Sequence, residues 1–153
     1  MHSTRDIDDL VAALLDLMGF LSSPKRDDVL LNEAGVNLDR ALFPLLVRLA
    51  RSGPLSVAGL ADQVGRDHTT ISRQLAKLES LGLIARPVGG ADRRVRAAAL
   101  TRAGDKIVRA ISAARRRLLS RALANWTPED RAALAKLNRR FVDALAQTSG
   151  REI

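Results

Sequence analysis

The 153-residue sequence predicts a mainly α chain with one small β-hairpin, a central lobe set between helical ends. Three observations predict it. Apolar residues recur every three or four positions in both terminal stretches; two short helical patterns between residues 57 and 81 flank a tight turn; and two extended runs around a glycine-bearing turn follow at once.

Residues 5–21 carry Ile7, Leu10, Val11, Leu14, Leu15 and Met18, one apolar helix face. The segment SSPKRDD interrupts it, and a short piece, for which helix is one reading, leads to Asn37, an expected N-cap for a second helix to about Arg51 containing Leu42, Leu45, Leu46 and Leu49. Ser52-Gly53-Pro54 ends that helix. Ser56 caps VAGLADQVG, whose Val57, Leu60, Ala61 and Val64 share one side and whose Gly65 suits a left-handed closing residue. Asp67 then accepts from the orphan N–H groups of Thr69 or Thr70 and starts a helix over 67–81 that Gly82 terminates.

The runs LIARPV and RVRAAAL flank GGADR and read as a hairpin, the second unusually rich in alanine for a strand. Thr101 caps a long helix to about residue 125, with Ile107, Val108, Ile111, Ala114, Leu118 and Leu119 inward and Arg115, Arg116 and Arg117 on its surface. Thr127-Pro128-Glu129-Asp130 starts the last helix: a Thr cap, Pro at the first position and acids against the positive end of the dipole. Its apolar positions are Leu134, Leu137, Phe141, Val142 and Leu145.

Net charge is +8, and 21 of the 25 basic residues are Arg, which by itself can reflect an Arg-favouring genome. Placement says more: residues 86–121 hold 11 basic and 2 acidic residues, whereas residues 1–50 hold 5 and 8. One basic stretch on an otherwise balanced chain points to a polyanionic partner. The lack of cysteine excludes disulfides, thiolate metal sites and thiol redox sensing. No apolar run is long enough to span a bilayer, and the acidic start MHSTRDIDDL is unlike a secretory signal, so the chain reads as cytoplasmic with no membrane partner.

The polar side of the 67–81 helix suits a DNA groove. Turning about 100° per residue from Ile71, Leu75 falls at about 40° and Leu78 at about −20°, which defines the buried side. Thr69, Arg73, Ala76 and Ser80 lie at roughly 140° to 200°, with Thr70, Ser72 and Lys77 on the flanks. Small side chains let the backbone approach; Arg bonds guanine O6 and N7 in pairs, Thr reaches a base edge or thymine methyl, and Lys pairs with phosphate. Glu79 is the only acid between Thr69 and Leu81, fewer than an ordinary solvated helix surface carries.

The stretch PLSVAGLADQVGRDHTTISRQLAKLESLGLIAR, followed by ADRRVRAAALTRAG with its Asp-x-Arg and Leu-Thr-x-x-Gly, resembles the winged helix-turn-helix of the multiple antibiotic resistance regulator (MarR) family over residues 55–101. The resemblance extends over most of the chain. It implies a DNA-binding lobe at 37–101 with recognition helix 67–81 in the major groove and wing 83–100 in the minor groove, and a dimerisation region made of 1–36 and 102–153. Thr69, Thr70 and Arg73 would read bases or nearby phosphates, with Ser72 and Lys77 beside them. Arg94 at the hairpin tip would enter the minor groove, where negative potential is concentrated, with Arg86 and Arg93 adding charge and Asp92 holding the wing in shape. This sequence departs from the family pattern in Arg96-Ala97-Ala98-Ala99, where larger aliphatics usually alternate, and in a short tip opened by Gly89-Gly90.

The resemblance further implies a homodimer through the first and last helices, by Leu10, Leu14, Leu134, Leu137, Phe141 and Leu145. Its two recognition helices would stand roughly 34 Å apart on a pseudo-palindromic double-stranded operator. Family members respond to small aromatic or amphipathic effectors bound between dimerisation helices and DNA lobe; helix one, Leu42 to Leu49 and the start of the helix after the wing would line that crevice here. The expected function is a repressor released by ligand, with no cofactor.

Catalysis has little to stand on. Asp8/Asp9 and Asp27/Asp28 are adjacent, so within a helix they point about 100° apart. His2 is in the loose N-terminus and His68 on the recognition helix flank near its buried side, with no metal-ligand spacing between them, and Gly89-Gly90 sits in a hairpin rather than a phosphate loop. The competing function from another class is a winged-helix module that binds an acidic protein partner.

Overall fold

A computed structural model describes residues 2–86 and 97–150, with side chains from residue 4. Its elements in chain order are α1 (His2–Leu21), α2 (Pro24–Ala34), α3 (Phe43–Ser52), α4 (Val57–Val64), α5 (His68–Ser80), β1 (Ile84–Ala85), β2 (Ala99–Leu100), α6 (Arg102–Ala122) and α7 (Pro128–Ser149). The chain divides into two compact units, residues 1–115 and 116–153.

In the first unit one apolar core joins α3, α4, α5 and the sheet. Leu45, Leu46, Leu60, Ile71, Leu75 and Leu78 have no solvent exposure, and Leu42, Leu49, Ala61, Leu83, Ile84 and Ala98 close around them. The helical periodicity of α4 and α5 supplies these positions, as the sequence predicts. Burial of a Leu or Ile side chain stabilises by about 1.5–3 kcal/mol, so this cluster is the main reason the lobe holds its shape. Ile107 and Val108 of α6 pack against it, and Ile111 and Ala114 are buried further along; Leu119, expected inward, is exposed.

Two boundaries differ from expectation, and the short piece after α1 is helix. Residues 24–34 form a full helix, with Pro24 at its start and Gly35 in the left-handed region at φ +67°, where only glycine is comfortable. Asn37 caps nothing. Instead the Asp39 carboxylate accepts from Ala41 N–H at 2.9 Å and the Asp39 carbonyl from Leu42 N–H at 2.9 Å, a local turn that postpones α3 to Phe43. At the other end α6 stops at Ala122, short of residue 125.

The hairpin base is short. Ile84 pairs with Leu100 and Ala85 with Ala99, antiparallel, and Ala98 bridges to Leu55 just ahead of α4. The fully buried Ala98 explains why small residues suit this run: the strand lies against the core, where a larger side chain has no room. The rest of the expected hairpin, including its Gly89-Gly90 tip, lies outside the described residues.

In the second unit, the end of α6 and α7 flank Trp126. Thr127 caps α7 by accepting from Asp130 N–H at 3.1 Å, with Pro128 in the first turn, as its sequence signature predicts. No residue of α7 is buried in the single chain. No helix among the described residues is long and apolar enough to cross a membrane.

Candidate nucleic-acid interface

The helix pair that presents α5 is held by end-capping at every junction. Ser56 Oγ accepts from Gly59 N–H at 3.1 Å to start α4, and Gly65, at φ +72°, closes it by donating to the Ala61 carbonyl. Asp67 then starts α5 with both carboxylate oxygens. Oδ1 accepts from Thr70 N–H at 2.7 Å and Oδ2 from the Thr70 hydroxyl at 2.8 Å. These two bonds from Thr70 hold the Asp67 carboxyl below the usual aspartate range, with Arg73 adding a smaller effect in the same direction.

With the start fixed, helical rotation decides the rest. Ile71, Leu75 and Leu78 are wholly buried, while Thr69, Ser72, Arg73, Ala76, Lys77 and Ser80 are exposed. Thr70 is half-buried and its hydroxyl proton belongs to the Asp67 cap, which leaves that oxygen available as an acceptor. The Ser80 hydroxyl donates back to the Lys77 carbonyl at 2.6 Å. His68, on the flank by helix rotation, is exposed.

Beside α5 runs a groove of about 330 Å³, bounded by Asp39, Ala41 and Leu42 on one side and by Thr70, Arg73, Gln74 and Lys77 on the other. Two of its lining residues, Ala41 and Gln74, are braced by Arg66, in the turn between α4 and α5. One guanidinium nitrogen, Nη1, donates to the Ala41 carbonyl and to Gln74 Oε1, both at 2.8 Å. The sequence reading missed Arg66 and Gln74. Gln74 sits on the flank at about −60° from Ile71, a place the wheel does reveal, but a contact across 25 residues to Ala41 has no local signature.

The base of the wing is tied to the far end of α5. Leu83 N–H donates to the Leu78 carbonyl, Thr101 N–H to the Leu83 carbonyl, and the Thr101 hydroxyl to the Gly82 carbonyl at 2.6 Å. The same hydroxyl accepts from Gly104 N–H at 3.1 Å and so starts α6. Leu-Thr-x-x-Gly thus joins wing, recognition helix and α6 at one point. Arg86 is half-buried where the wing leaves the sheet; Asp92, Arg93 and Arg94 lie outside the described residues.

Of the residues expected at a dimer contact, Leu10, Leu134, Leu137 and Leu145 are exposed, and Leu14 and Phe141 half-buried. Within the stretch from Leu42 to Leu49 expected to line a ligand crevice, Leu42, Leu45, Leu46 and Leu49 pack into the core of the lobe, where α3 meets α4 and β2, while Pro44, Val47 and Arg48 are not buried. Among the described residues, no group of three or more His, Cys, Asp or Glu could hold a metal ion.

A protein-family model described as HVO_A0114 matches residues 38–99. The chain is 32% identical over 111 residues to the uncharacterized HTH-type transcriptional regulator YxaD of Bacillus subtilis (strain 168), an overlap covering 70% of this chain and 78% of that one. Its fold is similar to that of a MarR family protein from Bacillus stearothermophilus, with a TM-score of 0.76 at 21% identity over 91% of this chain and 97% of the other. It is also similar to RV1404 from Mycobacterium tuberculosis, with a TM-score of 0.72 at 26% identity over 92% and 94% of the two chains.

Proposed function

The chain belongs to the MarR family of transcriptional regulators and is a DNA-binding regulator, not an enzyme; from that premise we propose that it acts as a homodimer reading a pseudo-palindromic duplex. The observation that carries the reading is the outward side of α5, where Thr69, Ser72, Arg73, Ala76 and Lys77 are exposed opposite three fully buried aliphatics. In this reading Thr69, Ser72 and Arg73 face base edges, Thr70 and Lys77 lie along the phosphates, and Arg86, Arg93 and Arg94 follow the wing into the minor groove, with Asp92 shaping it.

The second copy is supported by bare apolar surface. Leu10 of α1 is 40% exposed, and Leu134, Leu137 and Leu145 along one side of α7 are 45%, 54% and 51% exposed. A symmetric partner covering Leu10, Leu14, Leu134, Leu137, Phe141 and Leu145 removes that surface from water. The segments 1–36 and 102–153 then serve dimerisation and 37–101 serves DNA.

Repression released by a small aromatic or amphipathic ligand fits this arrangement, since the spacing of two rigid lobes is an equilibrium that a ligand can bias. The leucines of α3 are committed to the lobe core, so such a ligand is held by other residues. Kinship with regulators favours duplex DNA over an acidic protein partner.

Selection of bound sequences from random duplex tests the reading. Two inverted half-sites centred about one helical turn apart are expected. Recovery of unrelated sequences without two-fold symmetry contradicts it.

A further inference from the structure

The brace at Arg66 bears on which contacts α5 offers to DNA. A guanidinium has donors only, so the part of the Gln74 amide that faces Arg66 at 2.8 Å is its oxygen, and the NH₂ group is left pointing elsewhere. Gln74 borders the same groove as Arg73 and Lys77, and its neighbour Thr70 has already given its hydroxyl proton to Asp67. The second bond of Arg66 Nη1, to the Ala41 carbonyl at 2.8 Å, anchors the guanidinium to the turn ahead of α3 and so keeps it from following DNA.

We propose that Arg66 is a positioning residue that fixes the Gln74 amide with its NH₂ toward the duplex, which makes Gln74 a further donor to a base acceptor in the groove shared with Arg73 and Lys77. The inference rests on the DNA reading above and adds a specificity determinant to it. A free glutamine can present an acceptor and a donor together, the pattern that suits adenine; a glutamine held by its oxygen offers donors, which suit guanine O6 or N7. Arg66 itself neutralises no phosphate.

The test uses the full chain and a duplex that the wild-type protein selects from a random pool. Affinity is measured across a salt series for Arg66→Ala, Arg66→Lys, Gln74→Ala and Gln74→Glu, with folding followed by circular dichroism. Gln74→Glu keeps the bond to Arg66 but turns an oxygen outward, so it is expected to bind at least tenfold more weakly than wild type and more weakly than Gln74→Ala.

Arg66→Ala is expected to weaken binding about tenfold with an unchanged salt slope, and to broaden the base preference at one position of each half-site when selection is repeated. Arg66→Lys, which can still donate to both oxygens, is expected to recover most of the affinity. Wild-type affinity in Gln74→Glu would overturn the proposal, as would a salt slope about 0.9 lower in Arg66→Ala, since that marks a lost phosphate contact. If the wild-type chain selects no duplex at all, the DNA reading fails first and this inference with it.

Discussion

A Cβ added to Gly104 would sit 2.1 Å from the carbonyl oxygen of Leu83. The first turn of α6 thus rests directly on the backbone that leaves α5, and only a residue without a side chain permits it. Leu83 also accepts from Thr101 N–H at 3.1 Å, so the carbonyl cannot move aside without breaking that bond.

Gly104→Ala therefore inverts the usual trend. Alanine in a helix is ordinarily favoured over glycine by about 0.5–1 kcal/mol. Here the overlap with backbone requires α6 or the wing base to shift, a strain of about 1–3 kcal/mol. Chemical denaturation is expected to show net destabilisation; a variant more stable than wild type would contradict the close approach.

Acid should weaken the start of α5. The Asp67 carboxyl is held below its ordinary value by bonds from Thr70, so its contribution is fully present above that ordinary value and is lost as pH falls through the lowered one. Thermal melts of wild type and Asp67→Asn are expected to diverge at neutral pH and converge in strong acid, because asparagine caps the helix without titrating. A constant difference across the pH series would contradict this linkage.

The exposed leucines of α7 predict the assembly state. Leu137→Lys with Leu145→Lys adds like charges to a surface that, in the dimer reading, meets its own copy. Sedimentation is expected to give twice the 16.6 kDa chain mass for wild type and the single mass for the variant at micromolar concentration. A single mass for both would remove the homodimer, and with it the two-fold operator.

Much of this architecture is legible because it is local. Ser56, Asp67 and Thr127 each cap the helix their spacing announces, since a short oxygen-bearing side chain needs only the next turn of backbone. Ile71, Leu75 and Leu78 are buried as rotation about a helix axis requires. Asn37 misleads because Asp39, two residues on, forms a local turn with Ala41 and Leu42 that delays the helix to Phe43. The Arg66 brace and the pairing of Leu55 with Ala98 join parts distant in sequence, and nothing in either stretch alone marks its partner. The same holds for Gly104: the motif is visible in the sequence, but its reason is the carbonyl of Leu83.

The central claim is that α5 and the wing enter a duplex together, and binding by the double variant Arg73→Ala with Arg94→Ala tests it most directly. Each arginine contact is worth about 1–3 kcal/mol, so the account predicts affinity for the selected duplex at least thirtyfold below wild type and a shallower salt dependence, with helix content and melting unchanged. Equal affinity and equal salt slope in the two folded proteins would contradict it.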